Sequence, residues 1–167
     1  MGDVVRNTGF HHVAFACKDL EATVYFYENL LNFPLVHTEV AGQSENFMRH
    51  IFFDLGDGSS LAFFYLHGVG EPENYKTDIS TGLDLPIWVN HVAFAADTER
   101  YQQVKTKMNS ANIEPIMEVD HGWCQSIYYA DPNGIMVEFC LDTPGFESDP
   151  EKAKSLLNAL PPSAQDD

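Results

Sequence analysis

The chain has 167 residues, 44% hydrophobic and 13% aromatic, enough for one domain with a sizeable core or for two small modules fused together. Its 9 Lys and Arg against 25 Asp and Glu give a formal charge of −16, so phosphate backbones and anionic membrane surfaces are repelled and nucleic acid is not an expected partner. No apolar run approaches the ~18 residues needed to cross a bilayer; Cys17, Cys124 and Cys140 stand at no zinc-like spacing and follow no signal-peptide pattern, so a soluble protein of the reducing cytoplasm is expected.

Residues 10–16 (FHHVAFA) read as a strand. Asp19 then stands as N-cap before LEATVYFYENLLNF, whose stripe is Val24, Phe26 or Tyr27, Leu30 and Leu31. After Pro34 come three strand-like runs, LVHTEV, MRHIFFDL and, beyond the turn Gly56-Asp57-Gly58, SLAFFYL. Residues 8–66 thus form a β-α-β-β-β module. Residues 67–86, rich in Gly, Pro and acidic side chains, read as a linker. The order then repeats over 87–143: strand WVNHVAFAA, Asp97 capping TERYQQVKTKMNSA, runs IEPIMEV and QSIYYA, the turn Asp131-Pro132-Asn133-Gly134, and strand IMVEFCL. Residues 144–167 form a polar tail with a short helix in EKAKSLLNAL, its end expected to fray.

The motif HVAFA occurs in both modules, so His12 and His91 are equivalent, 91 − 12 = 79 residues apart. One helix covers one face of each four-stranded sheet; two modules side by side are expected to make a curved mixed sheet, helices outside and a hollow within. Strand alternation puts Val13 and Phe15 on the helix face and His12, Ala14 and Ala16 on the other; Val92 and Phe94 likewise oppose His91, Ala93 and Ala95. In the last strand Ile135, Val137, Phe139 and Leu141 make the apolar face, leaving Met136, Glu138 and Cys140 opposite. A mid-strand carboxylate needs a cation or several donors. Two equivalent histidines and Glu138 form a 2-His-1-carboxylate set suited to Fe(II), Mn, Ni, Co or Zn, with positions left for small ligands. His11 has Asn90 as its counterpart and alternates away; His37, His50 and His67 read as strand or loop surface. Phe63, Tyr65 and Trp123 read as core or rim packing, and Cys124 and Cys140 as gap-fillers or oxidation-sensitive thiols.

These features resemble the vicinal oxygen chelate superfamily, which includes glyoxalase I, the bleomycin and fosfomycin resistance proteins and the extradiol ring-cleaving dioxygenases. The likeness spans about residues 8–143. It implies an α+β fold of tandem βαβββ modules forming a cup around a divalent metal. The run VDHGWCQSIYYADPNGIMVE is similar to the signature of the type I extradiol enzymes through His121, Ile127, Tyr128, Asp131, Pro132, Gly134 and Glu138. That resemblance implies Fe(II) on His12, His91 and Glu138, a small aromatic diol and O2 as reactants, Tyr128 bonded to a substrate oxygen and His121 as a donor beside the substrate.

Aligning Gly58 with Gly134 sets Ala62 opposite Glu138, where glyoxalase I supplies a fourth ligand that is also its base; alanine can be neither. The dioxygenases carry a further acid/base histidine on the last strand of the first module, and Ser59-Ser60 offers none. The leading expectation is therefore a metal-dependent extradiol-type dioxygenase. The alternatives are a non-redox metalloenzyme of this fold (lyase, isomerase or thiol transferase) and a binding or resistance protein. An open edge strand points to a homodimer, and whether one chain or two build the site stays open.

Overall fold

Aspartate opens both long helices. In the computed structural model, which describes residues 9–68 and 75–160, Asp19 accepts from the Ala22 amide at the start of α1 (Leu20–Val24) and Asp97 from the Arg100 amide at the start of α2 (Thr98–Ser110). Beyond Val24 the first helix widens into a π-helical stretch, Tyr25–Leu30, in which the Leu31 amide reaches back to the Phe26 carbonyl. The wider turn buries Phe26 and Tyr27 together, along with Leu30 and Leu31, where α-helical spacing offered one of the two aromatics.

Each module is a four-stranded mixed sheet, as the repeat predicts. The first holds β1 (His12–Cys17), β2 (Leu35–Gln43), β3 (Asn46–Asp54) and β4 (Ser60–His67) in the order β1-β4-β3-β2. The second holds β5 (His91–Ala96), β6 (Met117–Asp120), β7 (Cys124–Ala130) and β8 (Met136–Asp142) in the order β5-β8-β7-β6. In both, the first strand runs parallel to the last and the remaining pairs are antiparallel. Strand β6 begins only at Met117, because Pro115 has no N–H to give a ladder.

The apolar faces of both sheets and both helices meet in one core, which includes Leu61, Phe63, Val137 and Phe139. Phe33, just after the first helix, packs on Phe94 and Phe139, Arg100 donates to the Leu31 carbonyl, and Lys107 donates to the Asn29 carbonyl. The helices of one chain therefore lie between its two sheets. The expectation of helices outside and a hollow within does not hold inside a single chain: one helix leaves apolar sheet surface uncovered, and the two helix-bearing faces bury that surface against each other. The faces that carry His12 and His91 point away from this core. Strands β1 and β5 each have one hydrogen-bonded neighbour among the described residues, and a cleft of about 860 Å³ lies between their free edges, lined by Val13, Phe15, Leu61, Val92 and Phe94.

The segment read as a linker is more structured than expected. Residues 69–74 lie outside the described part, but Thr77 donates to the Asn133 carbonyl, Asn90 donates to the Ile79 carbonyl, and a 3-10 turn forms at Thr81–Leu83. Gly134 has φ 78°, and a Cβ there would come within 2.8 Å of the Asp78 side chain, so the segment presses on the turn that leads into β8. The expected C-terminal helix is α3 (Pro150–Leu156), fully exposed; the end of the tail, 161–167, lies outside the described residues. No described helix is long and apolar enough to cross a membrane.

Candidate functional site

The turn Asp131-Pro132-Asn133-Gly134 aims β8. Asp131 is buried, its Oδ1 accepts from the Asn133 and Ile135 amides at 2.8 Å, and its Oδ2 accepts from Tyr27 of the first module at 2.9 Å. Burial raises the pKa of this carboxyl, and the donors of Asn133, Ile135 and Tyr27 only partly offset it. Four residues beyond the turn's last position, Glu138 emerges on the face away from the core.

Glu138 is 5% exposed, and each of its oxygens is engaged. Oε1 accepts from the Tyr128 hydroxyl at 2.8 Å and from the Cys140 thiol at 3.0 Å; Oε2 lies 2.8 Å from His91 Nε2. Burial raises its pKa, but hydrogen bonds from Cys140, Ser126 and Tyr128 and the His91 ring outweigh this and hold the carboxyl below its ordinary value. Burial, and next the hydrogen bond to Glu138, push Tyr128 up to about 12 and Cys140 up to about 12. His121 Nε2 stands 2.9 Å from the Tyr128 oxygen. Because Tyr128 gives its own proton to Glu138, His121 must donate from Nε2.

His91 is held from behind: its Nδ1 lies 2.9 Å from the Trp88 carbonyl, an acceptor, so Nδ1 carries the hydrogen. A neutral His91 then presents the Nε2 lone pair to a carboxylate oxygen, acceptor against acceptor. That pairing calls for a cation shared by the two atoms, a proton or a metal ion. Two ligand atoms on one octahedral ion at about 2.1 Å lie about 3 Å apart, close to the observed 2.8 Å. The donor set thus fits a divalent metal.

The first module presents its own version of this face. His12 is exposed, with His11 Nδ1 2.8 Å from its Nδ1 and the rings of His50 and Phe52 at 6.0 and 5.5 Å. His11, which alternation turns away, lies just outside β1 and is free to fold against its neighbour. All described contacts of His12 are within the first module, and those of His91 and Glu138 are within the second. Among the described residues, the group of three or more possible ligands is Cys124, Glu138 and Cys140, without either histidine. The structure brings His91, Glu138, Tyr128 and His121 together and leaves His12 on the other sheet.

Two further points differ from the sequence reading. Tyr128 spends its hydroxyl on Glu138 rather than standing free for a ligand. His50 is buried on the outer face rather than surface: it is 9% exposed, stacks on Phe64 at 3.7 Å, and its Nε2 has no hydrogen-bond partner among the described residues. Its position on the same face as Phe52 and Met48 was the available signal. His37 and His67 are exposed, as read; Phe63 is core and Trp123 rim. Ala62 pairs with Ala14 as Glu138 pairs with Ala93, so the turn alignment placed it correctly.

This fold and site define a class. The family model of the Glyoxalase/Bleomycin resistance protein/Dioxygenase superfamily matches residues 9–139, and the chain belongs to that superfamily. It is 25% identical over 131 residues to metallothiol transferase FosB of Lysinibacillus sphaericus, covering 77% of this chain and 79% of that protein. It is 37% identical over 87 residues to biphenyl-2,3-diol 1,2-dioxygenase 3 of Rhodococcus globerulus, covering 49% of this chain and 40% of the dioxygenase. In fold it is similar to a fosfomycin resistance protein, FosX, of Listeria monocytogenes, solved with Mn(II) and a dihydroxypropylphosphonic acid: TM-score 0.59, 20% identity, 83% of this chain and 95% of that one.

Proposed function

We propose that this protein is a metal-dependent ring-cleaving dioxygenase that opens a small catecholic compound beside its diol, retaining both atoms of O2 in the product. The observation that carries the reading is the hydrogen-bonded chain His121–Tyr128–Glu138, whose far carboxylate oxygen stands paired with the His91 nitrogen. Fe(II) would be held by His91 and Glu138 of one copy and His12 of a second. Bound there, it would supply Lewis acidity and redox chemistry, with open positions for the diol and O2.

The protein's own groups prepare the site. Trp88 fixes the His91 tautomer, and Tyr128 and Cys140 hold Oε1 of Glu138 so that Oε2 is the oxygen offered beside His91. His121 donates from Nε2, which leaves Nδ1 of its neutral ring as an acceptor for a substrate proton. The first module contributes an aromatic wall, Phe52 and Phe64, suited to a flat ring. Two copies are needed because the face bearing His12 looks away from His91 in the same chain, and the free edges of β1 and β5 with their apolar cleft are surfaces a second copy would cover.

A thiol transfer to a phosphonate fits less well. Among the described strands the one Lys or Arg is Arg49, which alternates to the face opposite His50, so the described strand faces around His12 and His91 offer no Lys or Arg to a phosphonate. Reconstitution with Fe(II) under argon, then O2 uptake and product absorption across a catechol panel, tests the proposal. Protein that holds iron yet turns over no diol would sink it, and activity unchanged under argon would favour the non-redox reading.

A further inference from the structure

The carboxylate of Glu138 faces two donor sets, and only one of them is used by the reading above. On the side of Oε1 stand two thiols, Cys140 at 3.0 Å and the buried Cys124, and the ligand atoms of Cys124, Glu138 and Cys140 all lie within 4.8 Å of one another. Ladder register explains the placement: Ser126 pairs with Cys140 across β7 and β8, and Cys124 is two residues along on the same face, diagonal to Cys140. Diagonal neighbours have Cα atoms about 7–8 Å apart, beyond the usual span of a disulfide. All three cysteines of the chain are free thiols.

We propose that Cys124, Cys140 and Glu138 form a second metal site, selective for thiophilic ions such as Cd(II), Zn(II) or Cu(I), which competes with the His91 side for the same carboxylate. Two thiolates on one tetrahedral ion sit about 3.8 Å apart, so ligation asks only for a small closing of the present arrangement. Each thiol gives its proton to solvent as its metal–sulfur bond forms, and no electrons are transferred. Cys140 is half-buried on the floor of the face and provides the entry side; Cys124 is fully buried behind it. The hydroxyl of Ser126, 3.4 Å from Cys124 Sγ and 3.7 Å from Cys140 Sγ, is the neutral donor that remains to hydrogen-bond the sulfurs once they are thiolates. Soft thiolate ligands select against hard ions such as magnesium and for thiophilic ions of the zinc and copper(I) type. An ion held there engages Glu138 from the Oε1 side and displaces the Tyr128 and Cys140 hydrogen bonds that orient Oε2 toward His91. Thiophilic ions are therefore expected to act as inhibitors that work by capturing a ligand.

The assignment rests on Glu138 being the shared ligand of the proposed iron site only for its inhibitory consequence; the binding itself is tested without iron or turnover. Titrating the reduced full-length protein with Cd(II) is expected to raise a near-ultraviolet sulfur-to-metal charge-transfer band that saturates at about one ion per chain. The band is expected to vanish in Cys124→Ser and in Cys140→Ser and to persist in Cys17→Ser, whose thiol is buried in the core on the other module. No band in the wild-type protein, or a band that survives in both Cys124→Ser and Cys140→Ser, overturns the site. A separate arm measures Fe(II) affinity with and without one equivalent of Cd(II): a fall of more than 10-fold in wild type but not in Cys140→Ser supports competition, and an unchanged affinity removes it. If the protein binds Cd(II) in this cysteine-dependent way but never consumes O2 with a diol, the dioxygenase reading falls and the thiophilic site stands.

Discussion

Where the second module carries Glu138, the first carries Ala62; opposite these stand Tyr128 and Phe52, and two pairs further along the ladders, on the same face, Cys140 and Ser126 answer to Phe64 and His50. The backbone register is the same in both halves, and so is the leading histidine. The chemistry is opposite: one face offers oxygen and sulfur donors, the other aromatic rings among His12, His37 and His50, the last with an Nε2 that has no partner among the described residues. A duplicated module can therefore keep its ladder, its helix cap and its core side while its outer face diverges, because strand alternation makes the two faces independent.

The sharpest way to break this contrast is to make the second face like the first. Glu138→Ala is expected to lower divalent-metal affinity more than 100-fold, and the converse change Ala62→Glu should not restore it; metal titration followed by calorimetry checks both. Next in size is the test of where the two faces meet. Mixing His12→Ala and Glu138→Ala proteins, each inactive, should recover about a quarter of the wild-type metal sites by subunit exchange, since a mixed dimer has one intact His12/His91/Glu138 set. No recovery under conditions where subunits demonstrably exchange would falsify the two-copy site. Tyr128→Phe, which makes the second face carry the ring that Phe52 puts at the equivalent position of the first, should cost about 10–100-fold in kcat with little change in fold stability; a far-ultraviolet thermal melt separates the two effects.

A smaller effect concerns the first face. His50→Phe removes a buried unpaired nitrogen while keeping a ring against Phe64, so the thermal midpoint should rise by a few degrees, corresponding to about 1 kcal/mol. A lower midpoint would show that Nε2 finds a partner in the folded protein. The smallest effect lies in the turn that aims β8. The raised pKa of Asp131 means the folded chain holds this proton more tightly than the unfolded chain. Its contribution to stability is thus fully present below the ordinary aspartate value of about 3.9 and is lost as pH rises through the raised folded value. Relative to Asp131→Asn, which cannot titrate, the wild-type melting temperature should fall over that interval upward from about pH 4.

Much of this is legible in the sequence, for identifiable reasons. Asp19 and Asp97 declare their helices because a capping carboxylate acts within one turn. The equivalence of Ala62 and Glu138 follows from matching turns, since a ladder counted from the same turn keeps the same register. Local rules fall short where a side chain's partner lies on another strand: the burial of His50 depends on Phe64 across the ladder, and the bond that engages the Tyr128 hydroxyl joins β7 to Glu138 on β8. The wide π-helical stretch that buries both Phe26 and Tyr27 escaped an α-helical periodicity for the same reason, as it is the shared core that favours the broader stripe.

By itself the sequence determined two βαβββ modules, the apolar and polar faces of each, and the residue types on those polar faces, because alternation, capping and turn chemistry are short-range. Only the tertiary structure decided that the apolar faces of both modules meet in one core with the helices between them, turning His12 away from His91 and Glu138. Duplication leaves that choice open: two copies of one amphipathic module can bury the same apolar area in more than one arrangement, and which is adopted depends on contacts such as Phe33 on Phe94 and Tyr27 on Asp131 that join residues far apart in the chain.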